Sequence, residues 1–122
     1  MLRHPILACA VAAVLSADAQ ADPMPVGMQG AGMATCAEYA KQYAAEPLID
    51  LHYFSWAQGY IAATNVQFGS RDKWMLDLSS IPVEAQQTSI RSYCDKHPLA
   101  QYYSAVTELI SKFKTTRAII TP

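Results

Sequence analysis

The chain has 122 residues, 52% hydrophobic and 10% aromatic, with nine Lys and Arg against ten Asp and Glu, a net charge of −1. The charges are scattered without a basic stripe, which argues against a nucleic-acid partner. The length suffices for one modest core and is too short for two domains.

Arg3 and His4 open the chain with positive charge, an apolar run follows from Pro5 to Leu15, and small residues close the segment at Ala19-Gln20-Ala21. These are the three parts of a secretory signal peptide over residues 1–21. The apolar run is too short to cross a bilayer as a helix. Cleavage after Ala21, or after Ala19, predicts an exported product. Ile6-Leu7-Ala8-Cys9 also resembles a lipobox, although almost no apolar stretch precedes its cysteine. The mature chain would keep eight Lys and Arg and nine Asp and Glu. It contains no further stretch of membrane-spanning length and is expected to be soluble.

Removing Cys9 leaves Cys36 and Cys94, an even count in an oxidising compartment, and predicts a disulfide between them. Two free buried thiols are the alternative reading. A metal site is a poorer one, because two cysteines lack the usual four-ligand set.

Residues 22–34 read as a flexible leader with two prolines, three glycines and no periodic apolar pattern. Met24, Met28 and Met33 lie in it. Thioether sulfur is a soft ligand that suits Cu(I), but no nearby His or Cys completes a set, and an extended tether is the other reading.

The folded domain is predicted over residues 35–114. Thr35 and Glu38 have the spacing of a capping box, and the first helix carries Cys36, Tyr39, Ala40 and Tyr43 on one face before ending ahead of Pro47. A second helix is predicted from Asp50 to about Asn65. Leu51, Phe54, Ala57 and Ile61 form its stripe, widened by Tyr53, Trp56 and Tyr60. Gly59 in its middle is expected to allow close approach of another helix. From Val66 to Ile81 the periodicity is lost, and Gly69, Ser70, Ser79 and Ser80 predict a long loop carrying Trp74, Met75, Leu76 and Leu78.

The third helix is predicted to start with Pro82 at its first position, with Val83, Gln87, Ile90 and Cys94 facing inward, and to break at His97-Pro98. The fourth is predicted from Pro98, with Leu99, Tyr103, Val106, Ile110 and Phe113 at helical spacing, Tyr102 and Leu109 beside them, and Lys112 and Lys114 at the end that suits positive charge. Residues 115–122 are a short tail. The prediction is an all-α bundle of about four helices, stapled by its disulfide. For a closed loop of about 59 residues, chain-entropy arguments give roughly 4 kcal/mol of stabilisation.

No catalytic signature appears: neither a glycine-rich phosphate loop, nor H-E-x-x-H, nor G-x-S-x-G. His52 reads as a surface or capping residue and His97 as a cap of the fourth helix. Glu84 and Glu108 read as helix-surface carboxylates. A non-enzymatic binding protein without cofactor or metal is therefore expected. Seven Tyr, two Trp and three Phe are more rings than a small bundle easily hides. Tyr53, Trp56, Tyr60 and Trp74 are the candidate partner surface.

Thr35-Cys36-x-Glu38-Tyr39, the central Trp56-x-x-Gly59-Tyr60 helix, and Ile90 through Cys94 to His97-Pro98 together resemble the HdeA/HdeB acid-stress chaperones. These are small periplasmic all-α proteins with one disulfide. The resemblance spans roughly residues 35–114. It implies a homodimer near neutral pH that loosens in acid and offers apolar surface to unfolding periplasmic proteins. Glu38, Asp50, Asp77, Glu84 and Asp95 are the candidate acid-titrating groups, because helix-start carboxylates stabilise only while charged. Gly59-Tyr60-Ile61 and the run from Ile81-Pro82 to His97-Pro98 also resemble the Tai-type periplasmic immunity proteins. That likeness implies inhibition of one secreted amidase, with Trp74 as an anchor in the loop 66–81; a periplasmic protein of the same fold with another binding role, for a small apolar ligand in the aromatic pocket, is the third reading. The chain is richer in aromatics and poorer in charge than the chaperones.

Overall fold

The computed structural model describes residues 27–118; the signal-peptide residues 1–21, Met24 and the last four residues lie outside that range. Four helices form the body: α1 (Cys36–Ala45), α2 (Ile49–Asp72), α3 (Val83–Lys96) and α4 (Tyr102–Ile110). Two short strands, β1 (Trp74–Asp77) and β2 (Lys114–Arg117), pair antiparallel, with Trp74 opposite Arg117 and Asp77 opposite Lys114. The bundle is the predicted all-α class, with this ribbon added. Among the described residues no helix is long and apolar enough to cross a membrane.

α1 starts where its capping box places it. The Thr35 hydroxyl accepts from the Glu38 amide at 3.1 Å, and the Glu38 carboxylate accepts from the Thr35 amide at 2.7 Å. Donation to the Glu38 carboxylate from the Thr35 amide, and then from the Thr35 hydroxyl at 3.0 Å, holds the Glu38 carboxyl below the ordinary glutamate value. The box is therefore complete above that ordinary value and is lost as pH falls through the lowered one. The next two free amides of α1, at Cys36 and Ala37, donate to the carbonyls of Ala100 and Pro98 at 2.7 and 2.9 Å. Helix starts always leave such donors to be satisfied, and here the chain after α3 satisfies them.

That service moves the start of α4. Pro98 and Ala100 give their carbonyls to α1 and Gln101 is extended, so the helix begins at Tyr102 and not at Pro98. Leu99, expected in the core, is 91% exposed. The inner face is Tyr102, Ala105, Val106 and Leu109, a quarter-turn from the predicted stripe. His97 closes α3, its amide donating to Tyr93 O at 3.0 Å, and does not cap α4.

The other corrections share one cause, contacts made far along the chain. The predicted loop 66–81 is not a loop: α2 continues through Gly69 and Ser70 to Asp72 and stops at Lys73, whose φ is +62°. Asn65, buried on α2, pairs with Leu76 as a strand would, accepting from its amide at 2.7 Å and donating to its carbonyl at 3.2 Å. Gly69 is buried against the end of β2, where a Cβ would lie 3.6 Å from that of Ala118. Lys114–Arg117 are thus strand residues, and 115–117 of the expected tail belong to the fold.

Gly59 has no neighbour within 4 Å of the place a Cβ would occupy, so the expected close helix is absent there. Its cost in a helix, about 1 kcal/mol relative to alanine, has no packing reason among the described residues. In α3, Pro82 precedes the first helical residue, Val83 is 51% exposed, and Gln86 faces inward in its place. Gln86 donates to Ile81 O at 2.7 Å and accepts from Gln58 at 2.9 Å, so its buried amide is satisfied.

Cys36 and Cys94 are disulfide-bonded, with Cα atoms 4.7 Å apart, and both are buried. The bond ties the first turn of α1 to the last turn of α3.

Candidate functional site

The centre of the molecule is a junction of aromatic rings and one carboxylate. Tyr39, Tyr53 and Tyr102 pack in a triangle with ring centroids 4.8 to 5.0 Å apart. Asp50, in the first turn of α2, reaches this triangle and is only 7% exposed. One carboxylate oxygen accepts from the Tyr39 hydroxyl of α1. The other accepts from Arg91 at 2.9 Å and from Gln87 at 3.3 Å, both of α3. A single side chain therefore joins three helices. The Arg91 guanidinium also lies over the Tyr43 ring, 5.6 Å from its centroid.

A buried carboxylate is tolerated only where donors replace water, and Asp50 has three, from Tyr39, Gln87 and Arg91. Removing its charge would leave Arg91 without an ionic partner among the described residues. Of the other predicted acid-titrating groups, Glu38 closes the α1 box and Asp77 accepts from the Ser79 amide at 3.1 Å. Glu84 is exposed in the first turn of α3. Asp95 is exposed in the last turn of α3, at the end where negative charge is unfavourable, so it is not a helix-start carboxylate.

The tyrosines themselves titrate abnormally. Burial, then the hydrogen bond to Asp50, pushes the Tyr39 hydroxyl far up; burial, then the charge of Asp50, does the same to Tyr102. The Tyr102 hydroxyl is fully buried and has no hydrogen-bond partner among the described residues. A phenol whose folded value is raised stabilises the fold below the ordinary tyrosine value near 10 and loses that contribution as pH rises further. We expect tyrosinate absorbance at 295 nm from Tyr39 and Tyr102 to appear only together with loss of helical circular dichroism, above about pH 10. Tyr102→Phe removes an unsatisfied hydroxyl and should gain up to about 1 kcal/mol while moving the alkaline transition upward. Smooth tyrosinate titration with the helices intact would contradict this.

The four aromatic residues singled out from the sequence are not one surface. Tyr53 is core, its hydroxyl donating to Gln42 at 3.0 Å. Trp56 is half-buried under residues 29–32 and stacks on Tyr60, centroids 5.5 Å apart and planes 11° from parallel. Burial, then a 3.4 Å hydrogen bond to Tyr103, pushes the Tyr60 hydroxyl up to about 12. Trp74 stands apart on β1 and is 54% exposed. His52 is exposed early in α2, and the His97 ring rests against Tyr93 at 4.4 Å.

No family model matches the chain, and no curated protein or solved structure gives a significant match. The site is read from its own chemistry.

Asn65, Gln86 and Arg91 were missed as site residues. Asn65 and Gln86 are polar residues on inward faces, a signal the sequence carries once the helix phase is known. Arg91 offers no such signal, because only the fold brings it to Asp50.

Proposed function

We propose that this chain is an exported, periplasmic acid-stress chaperone of HdeA/HdeB type, folded near neutral pH and opened by acid. The observation that carries this reading is Asp50, the one carboxylate that links α1, α2 and α3 over the tyrosine core. The groups facing it are Tyr39 from α1, Gln87 and Arg91 from α3, and Tyr102 from α4. Among these Arg91 is the only permanent charge. Protonating Asp50 removes the pair and leaves that cation against aromatic rings.

Protonation of the nine carboxylates of the mature chain leaves eight Lys and Arg and two His to repel one another. The helices then part along the seam of Asp50 and present Tyr39, Tyr53 and Tyr102 to apolar segments of unfolding clients. The disulfide keeps α1 and α3 joined and limits the opening. The test is light scattering of an aggregating client at pH 2 to 3 with the oxidised mature protein, alongside sedimentation from pH 7 to pH 2. Suppression at equimolar ratio, with apolar dye binding that rises in acid, is expected. Full client aggregation at several-fold excess would sink the reading.

Trp74 favours a second reading. It is exposed on a ribbon that Asn65 fixes to α2, and a rigidly presented tryptophan suits a protein interface. An immunity protein would use it at neutral pH against one secreted amidase. Tight, pH-independent binding that Trp74→Ala abolishes would favour that reading over the chaperone.

A further inference from the structure

Residues 27–34, expected to be a free leader, lie on the aromatic face of α2. The indole Nε1 of Trp56 donates to the Gln29 carbonyl at 2.9 Å. The chain then crosses the ring with no side chain at the points of contact. A Cβ on Gly32 would sit 2.1 Å from the indole, and one on Gly30, where φ is +83°, would sit 3.2 Å from it. A 3₁₀ turn over Ala31–Met33 follows, and Ala34 O accepts from the Tyr102 amide at 2.9 Å. Beside this segment is an open groove of about 460 Å³, lined by Met28 and Gln29 on one side and by Ser55, Trp56, Gly59 and Tyr60 on the other. Its floor includes Gly59, the mid-helix glycine that no other described residue approaches.

We infer that the Trp56–Tyr60 face of α2 is a binding site for a tight polypeptide turn of small residues, and that Gln29–Met33, with its 3₁₀ turn, is its occupant in cis. The recognition chemistry is that of the seated segment: a backbone carbonyl on the indole N–H, and a glycine over the ring. Gly59 keeps the neighbouring surface low enough for a chain to run beside it. This inference rests on the chaperone reading for the identity of the natural occupant, an apolar client segment carrying glycine or alanine. A tethered segment competes at an effective concentration of roughly millimolar, so a free peptide at micromolar concentration is excluded until the segment lifts. The site is thus filled in the resting protein, and occupancy by a client requires its release.

The experiment uses the full mature chain carrying Gly32→Val, whose side chain has no room against Trp56. A fluorescent peptide of residues 27–34 (GMQGAGMA) is titrated at pH 7 and followed by anisotropy. Binding at least tenfold tighter to the variant than to the wild type is expected, together with no binding of the same peptide when valine replaces its last glycine. Circular dichroism and the intact disulfide report that the bundle has kept its fold. If Gly32→Val unfolds it, Gly30→Ala, which meets the indole at longer range, carries the same expectation. A folded variant that binds neither peptide, or both equally, would overturn the site. Acid client protection by a wild type whose Gly32→Val form binds no peptide would overturn this site and leave the chaperone reading standing. Peptide binding without any acid protection would support the site and overturn the chaperone.

Discussion

Reducing the Cys36–Cys94 disulfide at pH 7 should lower the thermal midpoint by roughly 15 to 30 °C. The bonded residues are 58 apart in sequence. Closing a loop of that length removes on the order of 4 kcal/mol of chain entropy from the unfolded state. A domain this small has a total stability of about 5 to 10 kcal/mol, so the link supplies a large share of it. Each kcal/mol is worth about 4 to 8 °C at this size. The structure adds a reason for the full effect to appear. Both cysteines are buried and sit where α1 receives its amide partners from residues 98 and 100, so separating them also opens those hydrogen bonds. Thermal unfolding followed at 222 nm with and without reductant, and with Cys36→Ser, measures it. A shift below about 5 °C would show that the tertiary contacts already restrict the unfolded chain.

Asp50→Asn should destabilise the protein at pH 7 by roughly 2 to 3 kcal/mol. Asparagine keeps an acceptor for Tyr39 but gives Arg91 no charge. Breaking a fully buried pair costs about 3 to 5 kcal/mol. The Arg91 side chain is 30% exposed, and water can solvate part of its charge, which places this pair at the lower end. Urea denaturation gives the loss directly. A second variant separates the pair from the packing: Arg91→Met alone strands the Asp50 carboxylate, and combined with Asp50→Asn it should recover about 1 to 3 kcal/mol of the summed losses. Since Asp50→Asn is neutral at every pH, it should also bind an apolar dye at pH 7, as the chaperone proposal expects of the wild type in acid. A variant as stable as the wild type would remove Asp50 from the acid mechanism.

The contrast between Glu38 and Asp50 shows how much of the site could be read in advance. Glu38 was legible because its partner, Thr35, is three residues away and the capping box is a local pattern. Asp50 was noticed as a helix-start carboxylate, but its partners Tyr39, Gln87 and Arg91 come from two other helices. Trp56 and Tyr60 were picked out together, and they do stack, because four residues apart is one helical turn. Tyr53 was grouped with them and is core. The phase of α2 was visible, but not which side would be covered.

The all-α class, the four helices, the first cap and the pairing of Cys36 with Cys94 were all legible in the order of residues. These follow from spacing within a helical turn and from the parity of the thiols left after predicted cleavage. Only the tertiary structure decided where α2 and α4 stop and start, that residues 74–77 and 114–117 form a ribbon, and that the glycines before α1 lie on Trp56. Each of those outcomes depends on hydrogen bonds or close contacts between residues far apart in the chain: Asn65 to Leu76, Cys36 to Ala100, Gly32 to Trp56. No local propensity encodes them, because the free energy that selects them exists only once the helices are already in place.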